Sequence, residues 1–147
     1  MTDTLSNRER IELVRYRLDR SRLSFEEAEF LASGRFYNSA INRLYYSCFY
    51  AVNALLIKNG IEVGTHAGAK TMLNLHFVMN GPIPKSQAKI YSLLFDSRQS
   101  GDYADFVYYD KEEYDNYLPK VKELLATIRG LIEQSPASPE NTESIIS

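Results

Sequence analysis

A helical apolar run with an arginine set into it constrains this chain more than any other feature. Ala40-Ile41-Asn42-Arg43-Leu44-Tyr45-Tyr46-Ser47-Cys48-Phe49-Tyr50-Ala51 carries apolar residues at three- and four-residue steps, and the pattern runs on through Val52, Leu55 and Leu56. Its apolar arc is wide. Such a helix touches several neighbours or lies in a subunit interface. An unpaired guanidinium is costly to bury, so Arg43 needs a charged partner, a water-filled groove or a ligand.

The rest of the chain reads as further helices. Ser6-Asn7-Arg8-Glu9 has the form of a capping box. Behind it Ile11, Val14, Leu18, Phe25, Ala28 and Leu31/Ala32 recur at helical spacing, with Gly34 expected to stop the helix. The arginine-bearing helix then spans about 36–59 and ends at Asn59-Gly60. Thr65 can cap a third helix through Met79, followed by the rigid Gly81-Pro82-Ile83-Pro84 connector. A fourth ends near Gly101. A fifth begins at a second capping signature, Asp110 to Glu113, with Pro119 expected to kink or restart it. Residues 135–147, rich in Ser, Pro, Glu and Asn, read as a disordered tail. No segment alternates long enough for a strand. The expectation is an all-α chain, an up-and-down four-helix bundle with an additional short helix, one domain over 1–134.

A net charge of -2 argues against holding nucleic acid through bulk positive charge. The distribution is uneven. Six arginines between Arg8 and Arg22 face Glu9, Glu12 and Asp19, whereas residues 102–115 hold Asp102, Asp105, Asp110, Glu112, Glu113 and Asp115 against Lys111 alone. Surfaces of opposite sign can steer a partner or mate across a homodimer; they also suit a solvated helix face and an acidic helix start. The single cysteine, Cys48, makes no disulfide framework and reads as a small buried side chain. No apolar stretch approaches 18 residues, and the N-terminus has no charged start followed by an apolar run. A cytoplasmic protein without membrane contact is expected. Phosphate-binding glycine loops, Gly-x-Ser-x-Gly and zinc-type Cys/His spacings are missing, and His66 and His76 stand ten residues apart. No metal and no cofactor is expected.

Arg43, Tyr46 and Tyr50 share one helical stripe, with Asn42 beside Tyr45, Tyr46 and Phe49. That polar seam with aromatic walls could grip a phosphate through Arg43 and stack a base on a ring. The structural alternative is a bridge from Arg43 to Asp102 or Asp105. Arg98, in Asp96-Ser97-Arg98-Gln99-Ser100-Gly101-Asp102-Tyr103-Ala104-Asp105, suits the last turn of a helix and could pair with Asp102; it could also sit at a cleft mouth beside Tyr103.

The sequence resembles the HEPN domain superfamily over about residues 8–133. The resemblance rests on Arg15-Tyr16-Arg17-Leu18, the Ala28 to Gly34 helix end, Ser39 to Ala51, Ala54-Leu55-Leu56, Thr65-His66-Ala67-Gly68 and Arg98-Gln99-Ser100-Gly101-Asp102-Tyr103. It implies a helical bundle, commonly dimeric, often encoded beside a minimal nucleotidyltransferase in toxin–antitoxin or defence-like pairs. Ribonuclease members carry an arginine followed four to six residues on by a histidine, at the dimer cleft. Arg98 matches that arginine, but positions 103–105 are Tyr103, Ala104 and Asp105. A tyrosine with a pKa near 10 is a poor proton shuttle.

The resemblance therefore implies a non-catalytic subunit that binds a nucleotide or a nucleotidyltransferase partner through Asn42, Arg43, Tyr46, Tyr50, Arg98, Asp102 and Tyr103. Its alternatives are a divergent metal-independent ribonuclease using Arg98 with His66 or Tyr103, and a purely structural homodimer. Binding without turnover, cleavage of RNA in chelator, and self-association without ligand respectively separate the three.

Overall fold

Side-chain caps decide where the helices start. Ser6 Oγ accepts from the Glu9 amide at 3.1 Å while the Glu9 carboxylate accepts from the Ser6 amide at 2.9 Å, opening α1 (Asn7–Ser33). Thr65 Oγ1 accepts from the Gly68 amide, opening α3 (His66–Leu73). Asp110 and Glu113 repeat the reciprocal box ahead of α5 (Lys111–Gln134). Between these run α2 (Tyr37–Lys58) and α4 (Lys85–Tyr103). The computed structural model describes residues 5–103 and 108–134, without the side chains of 98–103 and 134. Among the described residues there is no strand, so the chain is all-α. The expected disordered tail, 135–147, lies outside them.

Helix ends show what the backbone needs. After α2, Gly60 takes φ +75°, and the Gly60 and Ile61 amides return to the Ile57 and Leu56 carbonyls at 3.0 and 2.9 Å. After α1 the same pair of bonds recurs from Arg35 to Ala32 and from Phe36 to Leu31, both 2.9 Å. Here the left-handed residue is Arg35, at φ 69°, and not Gly34, whose φ is -91°. Gly34 caps the end of α1 as expected, with its neighbour Arg35 taking the left-handed conformation. Gly34 is small for a different reason: the Phe36 ring lies over it, 3.0 Å from where a Cβ would stand.

Two other helices refine the expectations. α3 does not run evenly to Met79; it widens into a π turn over Asn74–Val78, closed by the Met79 amide on the Asn74 carbonyl at 2.9 Å. Of the two alternatives at Pro119, a kink or a restart, the restart does not occur: α5 runs on through the proline, because its buried face (Tyr114, Val121, Leu124, Leu125, Ile128, Ile132) holds it on both sides.

α2 is the central element, packing on α1, α3, α4 and α5. Leu44, Tyr45, Cys48, Val52, Leu55 and Leu56 are buried by that ring of neighbours. Each such side chain contributes roughly 1.5–3 kcal/mol of apolar burial. The wide apolar arc is thus used within the chain.

α1 departs from its expected core face. Ile11 is 58% exposed and Leu18 and Phe25 are only half-buried, while Ser21 and Ser24 are buried with Val14 and Ala28. The small Ser21 of α1 lies against the small Ser47 of α2. There Ser21 Oγ donates to the Ser47 carbonyl at 2.7 Å and Ser47 Oγ donates to the Ser21 carbonyl at 2.8 Å. Two hydroxyls thus clasp two helices with their polar groups satisfied.

Candidate functional site

Arg43 projects from the first half of α2 along the flank that meets α1. Its side chain is 28% exposed. Nη1 donates to Glu27 Oε1 of α1 at 3.4 Å, and Glu27 is itself largely in solvent. Nη2 and Nε donate to Asn42 Oδ1 at 3.1 and 3.4 Å. Charge-assisted bonds of full strength run about 2.7–2.9 Å, so these partners hold the guanidinium loosely. Its plane is supported from below by the Tyr46 ring, 4.7 Å away.

The aromatic row continues along the stripe. Tyr46 lies 6.1 Å from Tyr50, whose hydroxyl accepts from Arg20 Nη2 at 3.4 Å. The hydrogen bond to Tyr50 raises the Arg20 pKa above its ordinary value. Arg17 also stands over the Tyr50 ring, at 6.0 Å. Asn42, Arg43, Tyr46 and Tyr50 therefore share one half-buried flank, as their spacing implies.

His66 joins this cluster from α3. As the first residue after the Thr65 cap it stacks on Phe49 with centroids 4.1 Å apart and stands edge-on to Tyr46 at 5.8 Å. Its Nδ1 lies 2.7 Å from the Tyr45 hydroxyl. Tyr46 thus touches both Arg43 and His66. Deeper in, Tyr91 stacks on Tyr45 at 5.9 Å, and burial raises its hydroxyl pKa. Burial likewise pushes the Cys48 thiol up to about 12, leaving it a neutral packing group.

A cavity of about 370 Å3 opens beside Arg43 and Asn42, with Asn38 and Ser39 of α2, Leu94 and Ser97 of α4, and Tyr109 on its walls. Asn38 Oδ1 accepts from the Tyr109 amide at 2.7 Å and ties the chain after α4 to the start of α2. Ser97, on the cavity wall, immediately precedes Arg98 in α4. Arg98, Asp102 and Tyr103 belong to that helical stretch, but their side chains lie outside the described residues, as does Asp105. The bridges considered from Arg43 to Asp102 or Asp105 fall there too; the described carboxylate partner is Glu27. Among the described residues, no group of three His, Cys, Asp or Glu is arranged to hold a metal ion. None of the described helices is long and apolar enough to cross a membrane.

Three elements of this neighbourhood escape a reading of residue types. Glu27 hides among the glutamates of α1. His66 is named from the sequence, but its place beside Phe49 and Tyr46 comes from the fold. The Ser21–Ser47 clasp has a faint signal, since Ser21, Ser24 and Ala28 repeat at three- and four-residue steps seven after Val14.

Comparison with known proteins gives this geometry a lineage. The HEPN domain model matches residues 14–131. A UPF0332 protein of Thermotoga maritima is 33% identical over 85% of this chain and 95% of its own length. A Methanocaldococcus jannaschii protein named "Putative toxin MJ0142" is 30% identical over 70% of each chain. The crystal structure of ST0689, described as an archaeal HEPN homologue, superposes with a TM-score of 0.66 at 22% identity, over 82% of this chain and 98% of that one. The α2-centred helical fold and the match across residues 14–131 together establish that this chain belongs to the HEPN domain family.

Proposed function

We propose that the chain is a HEPN subunit that holds a nucleotide phosphate, free or within RNA, at Arg43 without turning it over. It would act in a toxin–antitoxin or defence-type pair, beside a minimal nucleotidyltransferase. The observation that carries this is the placement of Arg43: loosely held, stacked on Tyr46 and facing a cavity with Asn38, Ser39 and Asn42. A phosphate could replace Glu27 as the acceptor, gaining bidentate, charge-assisted bonds. Tyr46 and Tyr50 supply faces for a base. The net charge of -2 makes a local grip necessary, since the chain has no bulk positive field to offer.

A second reading, a metal-independent ribonuclease, is favoured by relatives that carry toxin names and by His66 lying against Tyr46 on the same cluster. There Arg98 would bind the scissile phosphate, with His66 or Tyr103 moving the proton. One assay separates the two. Labelled single-stranded RNA is followed by anisotropy and then by gel, in chelator, with wild type, Arg43→Ala and Arg98→Ala. The binding reading expects uncut RNA and affinity lost in Arg43→Ala. Cleavage abolished by Arg98→Ala would replace it with the ribonuclease reading.

A further inference from the structure

α1 and α5 both pack on α2 and leave an open groove of about 400 Å3 between them. Lys122 and Arg129 stand seven residues apart on α5, two turns along one face, and line this groove together with Arg22 of α1. Lys122 lies 6.0 Å from the Phe25 ring, while Arg22 acts on Arg129, so the two helices pass the groove in opposite directions. Three cations from two helices converge on one opening.

Arg129 is the group that the fold leaves unsettled. Among the described residues its buried Nε–H has no hydrogen-bond partner, and no carboxylate lies within ion-pair distance of its guanidinium. A buried donor of this kind calls for an acceptor. Burial, and then the charge of Arg22, lower the Arg129 pKa, against the pull of Glu133 one turn on. An anion between the two guanidiniums relieves that repulsion. Arg22 is free to turn toward it, because its bond to Asp19, at 2.9 Å, belongs to a solvent-exposed pair that is easily exchanged.

The lining decides which anion fits. A carboxylate is planar and singly charged, whereas a phosphomonoester carries a charge close to two and has oxygens that meet donors arriving from different sides. Glu26 and Glu29 on the α1 rim oppose a bare anion but accept from hydroxyl donors on its carbon skeleton. Phe25 and Leu125 offer that skeleton an apolar surface.

We infer that the groove between α1 and α5 binds a sugar phosphate, its phosphate held by Arg22, Lys122 and Arg129. This site shares no cation with Arg43, so either reading can fail alone. Calorimetric titration of the full chain with ribose 5-phosphate should show binding that is weaker for inorganic phosphate and missing for ribose. Arg129→Gln should weaken it by about tenfold or more, the loss of a charge-assisted bond, and Lys122→Gln by about threefold. Arg43→Ala should leave it unchanged, and Arg129→Gln should bind RNA as wild type does. Circular dichroism melts verify folding; Lys122 lies in solvent, so its variant keeps the test open should Arg129→Gln unfold. A wild type that takes up no ribose 5-phosphate would overturn the inference. So would inorganic phosphate bound as tightly as the ester, folded Arg129→Gln or Lys122→Gln with wild-type affinity, or a titration lost in Arg43→Ala.

Discussion

Two of the polar contacts that join α1 and α2 could hardly be built more differently. At Ser21 and Ser47 the contact is dry, reciprocal and short, at 2.7 and 2.8 Å. At Glu27 and Arg43 it is partly in solvent and stretched to 3.4 Å, although the groups are fully charged. The weaker chemistry has the tighter geometry. A polar contact selected for stability has its donors and acceptors satisfied within the chain. A half-exposed ion pair at such a distance contributes little, about 0–1 kcal/mol, and leaves the guanidinium open to a better acceptor. The difference separates a structural polar contact from a candidate binding group on one and the same pair of helices.

Replacement of the dry contact should have the largest effect. Ser47→Leu forces a bulky side chain between α1 and α2, and should lose about 3 kcal/mol or more in urea unfolding. A loss within experimental error would mean that the two helices do not rely on close approach.

The dry side should also set the alkaline limit. The Cys48 thiol, raised from 9.0 to about 12 by burial, keeps a proton that the unfolded chain gives up. Stability is therefore intact below about pH 9 and falls as pH rises toward 12, by up to about 1.4 kcal/mol per pH unit. Tyr91 and Tyr114, raised from 10.0 by burial, add to the decline above pH 10. Cys48→Ala should delay its onset, as read by unfolding across pH 8–11. An unchanged onset would assign the limit to the tyrosines.

On the open side the effects move from stability to binding. Arg43→Ala should shift stability by less than about 1 kcal/mol, yet weaken RNA or nucleotide binding by roughly tenfold or more, the value of a lost charge-assisted bond. Glu27→Gln is the smallest and sharpest change. Removing the competing carboxylate should tighten binding by about two- to threefold, with stability altered by no more than about 0.5 kcal/mol. Weaker binding would make Glu27 a positioning group rather than a competitor.

Much of the architecture was legible because its signals are local. Ser6/Glu9, Thr65 and Asp110/Glu113 announce helix starts through their own side chains, and the apolar arc of α2 announces a central helix. What was not legible depends on distant partners. Nothing in Ser21 indicates that Ser47 lies opposite, and periodicity alone placed Ile11 where solvent is. Gly34 was legible as the end of α1, but not the Phe36 ring that lies over it, nor the left-handed conformation Arg35 takes to preserve two backbone bonds. For the site, the stripe of Arg43, Tyr46 and Tyr50 follows from spacing within one helix. Glu27 and His66 reach it from two other helices, and only the fold brings them there.

The most direct test measures stability and RNA affinity together in Arg43→Ala and Ser21→Ala. If the two contacts have the separate roles described, the variants cross: Ser21→Ala loses about 1–2 kcal/mol of stability and binds as wild type, while Arg43→Ala keeps its stability and loses binding. Equal affinity in wild type and Arg43→Ala, or a loss of binding that merely tracks stability in both variants, would contradict the assignment of Arg43 as the phosphate-holding residue.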